Sequence, residues 1–241
     1  MRSGDELNFV PPYGDQNLLR SSYHKICDCL QLDETKIVKP HQTHTDCVES
    51  VKQVEPFEEV DGLITNQSNL TLLTTSADCT SLLFYDPVQQ VIGSVHSGWK
   101  GTLKGIANKA VQKMVKTYHC NPKDIICCIC PSIRECCFEV DEDVKQLFQK
   151  RYESTMPMSE IITQGEIKEE KQKYFIDTTK INENLLEQAG LKKENIVDSH
   201  LCTVCHSDLF HSYRAHKEIS GRNAALICRK ENACANDKIT H

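Results

Sequence analysis

The sequence predicts a single α+β domain. Three observations point that way. Strand-like and helix-like segments mingle along the whole chain, no Pro/Gly/Ser-rich linker divides it, and 241 residues with 39% hydrophobic content suffice for one sizeable core. Residues 1–241 are therefore read as one unit.

The elements follow in chain order. Residues 17–32 predict a helix, with Leu18, Leu19, Tyr23, Ile26 and Leu30 on one face. Ile37 and Val38 begin a short strand stopped by Lys39-Pro40. Asp61-Gly62 is a turn entering a strand at Leu63-Ile64. Residues 70–75 and 81–85 are rich in Leu, Thr and aromatics and read as strands, and residues 90–95 supply another. Gly98 and Gly101 interrupt the pattern before a helix on which Ile106, Ala110, Val111 and Met114 share a face. Residues 124–129 form a strand, 131–137 a loop and 141–152 a helix. The charged stretch 165–173 is expected to be exposed. A helix over 179–189 ends at Gly190, and strands are expected at 196–197 and 224–228.

Composition excludes several functions. With 28 basic and 34 acidic residues the net charge is −6, which argues against a broadly basic nucleic-acid binder. No apolar run approaches the ~18 residues of a membrane helix. Residues 1–8 contain Arg2, Asp5 and Glu6 and lack an apolar export core, so a cytoplasmic location is expected. That compartment disfavours disulfides, and most of the 14 cysteines are expected to be small buried hydrophobes, including several of Cys127, Cys128, Cys130, Cys136 and Cys137, with oxidised crosslinks or an extra metal site as the alternatives.

Three polar clusters carry the chemistry. The first holds His41, His44 and Asp46, the second is Asp78-Cys79 between two apolar strands, and the third is His96 at a strand end before glycine. A His, Cys and His set leaves one tetrahedral zinc position open for water or substrate. Each residue also has a plainer reading: buried cysteine as packing, Asp78 as a turn cap, Trp99 as core, His41 as exposed surface. Cys202-Thr203-Val204-Cys205 suits redox chemistry, half of a four-ligand zinc pattern, or a turn that packs, and no clear second CxxC at the spacing of a zinc site accompanies it. The segment from Gly98 to Gly101 lacks the full phosphate-loop pattern.

Read together, the blocks 42–46 (QTHTD), 76–79 (SADC) and 95–102 (VHSGWKGT) resemble the laccase-domain, or multicopper polyphenol oxidase-like, purine nucleoside phosphorylase family of bacteria. Blocks 136–140 (CCFEV), 209–214 (LFHSYR) and 220–225 (SGRNAA) extend the resemblance over residues 37–229. It implies a layered α/β/β/α domain akin to a bacterial toxin cysteine-hydrolase fold, with a zinc centre at His44, Cys79 and His96. It implies phosphorolysis of adenosine, inosine, guanosine and methylthioadenosine, with inorganic phosphate as co-substrate, and adenosine deamination. The expected state is a monomer or weak homodimer with no nucleic-acid or membrane partner. Arg222 is a candidate for phosphate or purine contact, Arg134 a weaker anion contact, and Asp78 a residue that orients a ligand or shapes the backbone beside it. Two features depart from the family pattern: Arg134-Glu135 stand where a Gly-Pro loop is expected, and the Arg/Gly-rich opening is weak over residues 1–14. The alternatives are a copper-dependent polyphenol oxidase and a non-enzymatic, metal-stabilised scaffold. One Cys with two His suits a single Cu2+ but lacks the multi-histidine cluster of a copper relay.

Overall fold

The computed structural model describes residues 7–10 and 15–231. The expectations made for the opening six residues, and for the polar end after residue 231, lie outside them. The helix α1 (Gln16–Leu30) starts where the Asp15 carboxylate accepts from the N–H groups of Asn17 and Leu18, both at 3.0 Å. It stops at Gln31, which turns left-handed at φ 54°. Strands β1 (Ile37–Val38), β2 (Val48–Ser50), β3 (Gly62–Thr65), β4 (Thr71–Ser76), β5 (Thr80–Asp86) and β6 (Val91–Ser97) come next. The expected helix is α3 (Ile106–Tyr118), but the segment read as a break before it holds a short helix of its own, α2 (Trp99–Leu103), and Gly105 at φ 78° separates the two. Then follow β7 (Ile126–Ile129), β8 (Glu139–Val140), α4 (Glu142–Tyr152), β9 (Ile162–Lys168), β10 (Lys171–Ile176), α5 (Thr178–Gln188), β11 (Ile196–Asp198), α6 (Tyr213–His216) and β12 (Asn223–Cys228).

The mixed α+β character is as expected. A six-stranded sheet runs β11-β7-β5-β6-β3-β2, and a three-stranded sheet runs β1-β4-β12. The two lie face to face. Val38, Leu70 and Leu72 of the small sheet side meet Leu63 and Ile92 of the large one, and Thr74 Oγ1 sits 2.9 Å from Ser94 Oγ between them. The other face of the large sheet presents Leu82, Phe84, Val91 and Val95 to Ile106, Ala110, Val111 and Met114 of α3. Truncating one such fully buried aliphatic to Ala costs ~2–5 kcal/mol, so this layer holds the large sheet rigid. On the far side of the small sheet, Ile26 and Cys29 of α1 share a cleft with Ala224 and Leu226 of β12. Among the described residues no helix is long and apolar enough to cross a membrane.

The charged stretch 165–173 is largely exposed, yet it is not irregular. It belongs to the antiparallel hairpin β9–β10, whose turn residues Glu169 and Glu170 sit at φ 49° and 62°. The cysteines also divide differently from the expectation. Cys127 is buried, whereas Cys128, Cys130 and Cys137 are half-buried and Cys136 and Cys205 are exposed.

Candidate metal centre and adjoining cleft

Alternation along β6 decides where its histidine points. Val95 faces α3, so His96 falls on the opposite face, toward the small sheet, and is only 3% exposed. Its backbone N–H donates to Asp61 O at 2.6 Å, and its Nδ1 lies 2.7 Å from Asp61 Oδ1. That contact fixes Nδ1 as the protonated nitrogen and leaves Nε2 as the free lone pair.

Asp61 is fully buried, and it accepts far more than this one bond. The N–H groups of Thr43, His44 and Thr45 and the Thr45 hydroxyl all donate to its carboxylate, at 2.6–3.3 Å. These bonds stabilise His44 at φ 62°, a conformation a non-glycine residue seldom adopts. The side chain of Gln42 clamps the same loop to β4, accepting from Thr75 N and donating to Thr75 O, both at 2.8 Å. Burial pushes the Asp61 carboxyl up, but the bonds from His96 and Thr45 outweigh it and hold the group near 2.

Cys79 comes from a different construction. β4 and β5 are adjacent in sequence but lie in different sheets, so the segment between them crosses from one sheet to the other. Asp78 makes the corner at φ 108°. Its carboxylate accepts from Thr203 Oγ1 and from Arg214 N, each at 2.7 Å, while its carbonyl accepts from Ile133 N at 2.8 Å. The backbone strain at this corner is thus held by three partners, and the Cys79 side chain is delivered toward the histidines.

The three side chains converge. Cys79 Sγ is 3.8 Å from His44 Nε2, the rings of His44 and His96 meet edge to face at 5.0 Å, and all three ligand atoms lie within 4.8 Å of one another. A tetrahedral zinc would set the S···N separation at about 3.6 Å, so the set needs only slight contraction. Burial pushes the Cys79 thiol up, but the facing His96 and His44 rings outweigh it and bring it down to about 6. Burial likewise opposes charge on His96, yet Cys79 and Asp61 raise it to about 9. Metal binding needs the Cys79 thiolate and a His96 ring whose remaining proton sits on Nδ1, so a bound cation would displace any proton shared between Sγ and Nε2. The donor set therefore fits a zinc-sized ion. It opens onto a cleft of about 510 Å³ whose walls include Gln42, Thr75, Trp99, Tyr213 and Arg222. A smaller recess of about 150 Å³, lined by Phe138, Ile133 and Arg214, adjoins it across Cys79 and Trp99.

A family model described as multi-copper polyphenol oxidoreductase laccase matches residues 4–230. The chain belongs to that family. Purine nucleoside phosphorylase YlmD of Bacillus subtilis is 33% identical to this laccase-family chain over 216 residues, 86% of it and 75% of YlmD. Human purine nucleoside phosphorylase LACC1 is 28% identical over 241 residues, 93% of this chain but 54% of its own. The chain thus spans about half the length of that relative. The crystal structure of the Bacillus licheniformis hypothetical protein YfiH superposes with a TM-score of 0.83 at 31% identity, covering 92% of this chain and 86% of that one. A wider cleft of about 550 Å³ between α1 and β12 has mainly apolar walls, such as Phe9, Ile26 and Leu209, and lies away from the converging ligands.

Of the other residues singled out in this laccase-family sequence, Arg222 reaches the cleft and Asp78 shapes the corner beside it. His41 is exposed and pairs with Glu58 at 2.7 Å, and Asp46 pairs with Lys104 and Lys109. Arg134 is directed elsewhere. Its Nη1 and Nη2 donate to the two oxygens of Asp198 at 2.7 and 2.5 Å, with side-chain exposures of 14% and 7%. This buried pair is already matched. Arg134→Met should cost ~3–5 kcal/mol at neutral pH by leaving the buried Asp198 charge without its guanidinium partner. Burial raises the Asp198 carboxyl but Arg134 outweighs it, so the folded value lies below 3.8. The stabilisation is present above that unfolded value and lost as pH falls through the lower folded one. Denaturant titrations of both proteins should therefore differ widely at about pH 7, with the gap closing as the pH falls past the ordinary carboxylate value. An equal gap at neutral and acid pH would show that the charge pair is not what is lost.

Two contributors carry no site signal in the sequence. Asp61 has the signature of a turn, and its role depends on contacts with residues 16–35 positions away. Gly98 has the signature of a break between strand and helix, but its backbone is ordinary at φ −66° and its lack of a side chain is what counts. A Cβ there would stand 2.6 Å from His44 Cδ2 and 3.3 Å from His96 Cε1. Gly98→Ala should push the His44 ring off the shared point and weaken zinc binding by roughly 10–100-fold, with little change in melting temperature. A chelator-competition titration checks this; unchanged affinity would mean that the ring yields without cost.

Proposed function

We propose that the chain is a zinc-dependent purine nucleoside phosphorylase. Its substrate class is adenosine, inosine, guanosine and methylthioadenosine, with adenosine deamination as a second reaction at the same centre. The observation that carries this reading is the convergence of His44, Cys79 and His96 on an open cleft rather than on a closed fourth protein ligand. The similarity to curated purine nucleoside phosphorylases points the same way. We read the layered packing as akin to a toxin cysteine-hydrolase fold.

His44, Cys79 and His96 would hold the ion, which when bound supplies Lewis-acid polarisation of an oxygen at the open position. The remaining work falls to the chain's own groups. Trp99, Phe138 and Tyr213 offer aromatic faces to a purine. Arg222 is anchored where its Nη1 donates to the carbonyls of Ser220 and Gly221 at 3.1 and 2.9 Å, which fixes the guanidinium at the cleft wall for an anionic partner. Lys39 adds positive charge close by, its ammonium held below the usual value by burial and by the Arg222 charge. In phosphorolysis a phosphate oxygen attacks the ribose C1′, the C1′–N9 bond breaks, and the base leaves with the electron pair and takes up a proton. A phosphate fixed by Arg222 would face the positive charge that develops on the sugar.

Incubating the zinc-loaded protein with adenosine or inosine, with and without phosphate, tests this. Ribose 1-phosphate and free base should appear only with phosphate, whereas inosine and ammonia from adenosine report deamination. No turnover by fully loaded protein would overturn the proposal. Arg222→Ala should raise the KM for phosphate by roughly 10–100-fold, the worth of a charge-assisted contact; an unchanged KM would remove Arg222 from the phosphate site. Copper would compete for the same donors. A phenol-oxidising relay needs further histidine clusters, however, and among the described residues the converging groups are this one and a set of four cysteines.

A further inference from the structure

Four cysteines that the catalytic reading does not use meet on the other side of the Asp78 corner. Cys136 and Cys137 lie in a turn closed by Cys137 N donating to Arg134 O at 2.9 Å. Cys202 and Cys205 lie in a second turn, closed by His206 N donating to Cys202 O at 3.0 Å. The sulfurs of Cys136 and Cys137 are 3.7 Å apart, those of Cys136 and Cys205 3.7 Å, and those of Cys137 and Cys205 3.5 Å. All four fall within 4.8 Å of one another. A ZnS4 tetrahedron with Zn–S bonds of ~2.3 Å has S···S edges of about 3.8 Å. A disulfide would need about 2.05 Å. The observed spacing is that of sulfurs around a common centre, not of sulfurs paired in bonds.

We propose that Cys136, Cys137, Cys202 and Cys205 form a second, closed zinc site that staples the 131–140 loop to the 202–205 turn. Binding converts four thiols to thiolates, releases four protons to solvent, and leaves the Zn(Cys)4 unit with a net charge of −2. The surroundings offset that charge. The backbone N–H groups of Arg134, Val204 and Cys205 are directed at the Cys202 sulfur, and the Arg134 guanidinium lies nearby. Two of the cysteines are exposed, so water screens the rest.

The staple bears on the cleft through Asp78. Thr203, inside the CxxC turn, donates its hydroxyl to Asp78 Oδ1 at 2.7 Å. Arg214 donates its backbone N–H to Asp78 Oδ2 at 2.7 Å, and its guanidinium to the carbonyls of Cys137 and Glu139 at 3.4 and 3.1 Å. Both cysteine turns thus brace the strained corner that presents Cys79. The role is structural: a four-thiolate shell leaves no open position for substrate.

Metal counting separates this site from the catalytic one. Protein purified under reducing conditions, saturated with zinc and desalted should carry two zinc ions per chain. Cys79→Ser should carry one, as should the double variant Cys202→Ser/Cys205→Ser. Should the double variant fail to fold, the Cys79→Ser protein still decides the matter. Its remaining zinc should protect four cysteines from alkylation, mapped by mass spectrometry to 136, 137, 202 and 205, until a chelator removes it. Cobalt in its place should give the visible bands of tetrahedral thiolate coordination. One zinc in the parent protein and none in Cys79→Ser would overturn the proposal, as would a disulfide among these four cysteines in the reduced, zinc-saturated protein. Neither result touches the nucleoside chemistry, which is read from products.

Discussion

Cys79→Ser should lower kcat/KM for nucleoside phosphorolysis by at least about 10³-fold, equivalent to roughly 4 kcal/mol of transition-state stabilisation. Cys79 is the one thiol of the cleft set and the only anionic ligand facing two imidazoles. The geometry shows why sulfur matters there. The pull of His96 and His44 outweighs burial and brings the thiol down to about 6, which favours the thiolate that a metal needs. A serine hydroxyl in the same place stays protonated and binds zinc far more weakly. His96 would also lose one of its two anionic partners, keeping the Asp61 carboxylate. The measurement is zinc stoichiometry alongside steady-state kinetics, with Cys29→Ser on the exposed face of α1 as a control. Full activity and full occupancy in Cys79→Ser would remove Cys79 from the centre.

What could be read in advance was local. The helix starting after Asp141 and the one capped by Asp177 show acidic or side-chain caps, apolar periodicity and, for the second, a terminal Gly190 at φ 100°. The β9–β10 hairpin gave no such signal. Its turn needs positive φ at both central residues, for which Asn-Gly is the usual marker, and the chain places Glu169-Glu170 there. The assignment of β4 and β5 to different sheets was also invisible, because two short strands separated by a few residues look the same as a hairpin. For the centre, family likeness brought His44, Cys79 and His96 into one hypothesis. Composition alone could not, since packing cysteines and surface histidines are common. The four-cysteine group shows the opposite limit. Half of it has a metal-binding spacing, but adjacent Cys136 and Cys137 have none, and only the loop closure from Ser132 to Cys202 brings the halves together.

Asp61→Asn should damage both the fold and the metal centre without altering a ligand. Every group around the Asp61 carboxylate is a donor: His44 N and His96 Nδ1 at Oδ1, and Thr43 N, Thr45 N and Thr45 Oγ1 at Oδ2. An amide keeps the size but replaces one acceptor with a donor. With its NH2 on the Oδ2 side, it meets three donors, and the 43–45 loop that carries His44 at φ 62° loses its tether. With its NH2 on the Oδ1 side, His96 must give up the Nδ1 proton, and in the neutral ring that proton moves to Nε2, which closes the lone pair meant for the metal. Either pose harms at least one histidine, and the second also strands the His44 N–H. Stranded buried donors cost ~1–3 kcal/mol each, so a total loss of about 2–4 kcal/mol in stability is expected. Zinc affinity should fall by about 10–100-fold, the usual consequence of removing a carboxylate behind a ligating histidine. Thr45→Val removes a single hydroxyl from the same carboxylate and should cost only about 1 kcal/mol. Chelator competition and thermal unfolding on the two variants provide the check. If Asp61→Asn bound zinc within a factor of two of the parent, the carboxylate would be packing rather than positioning, and the centre would be organised by Gln42 and Gly98 instead.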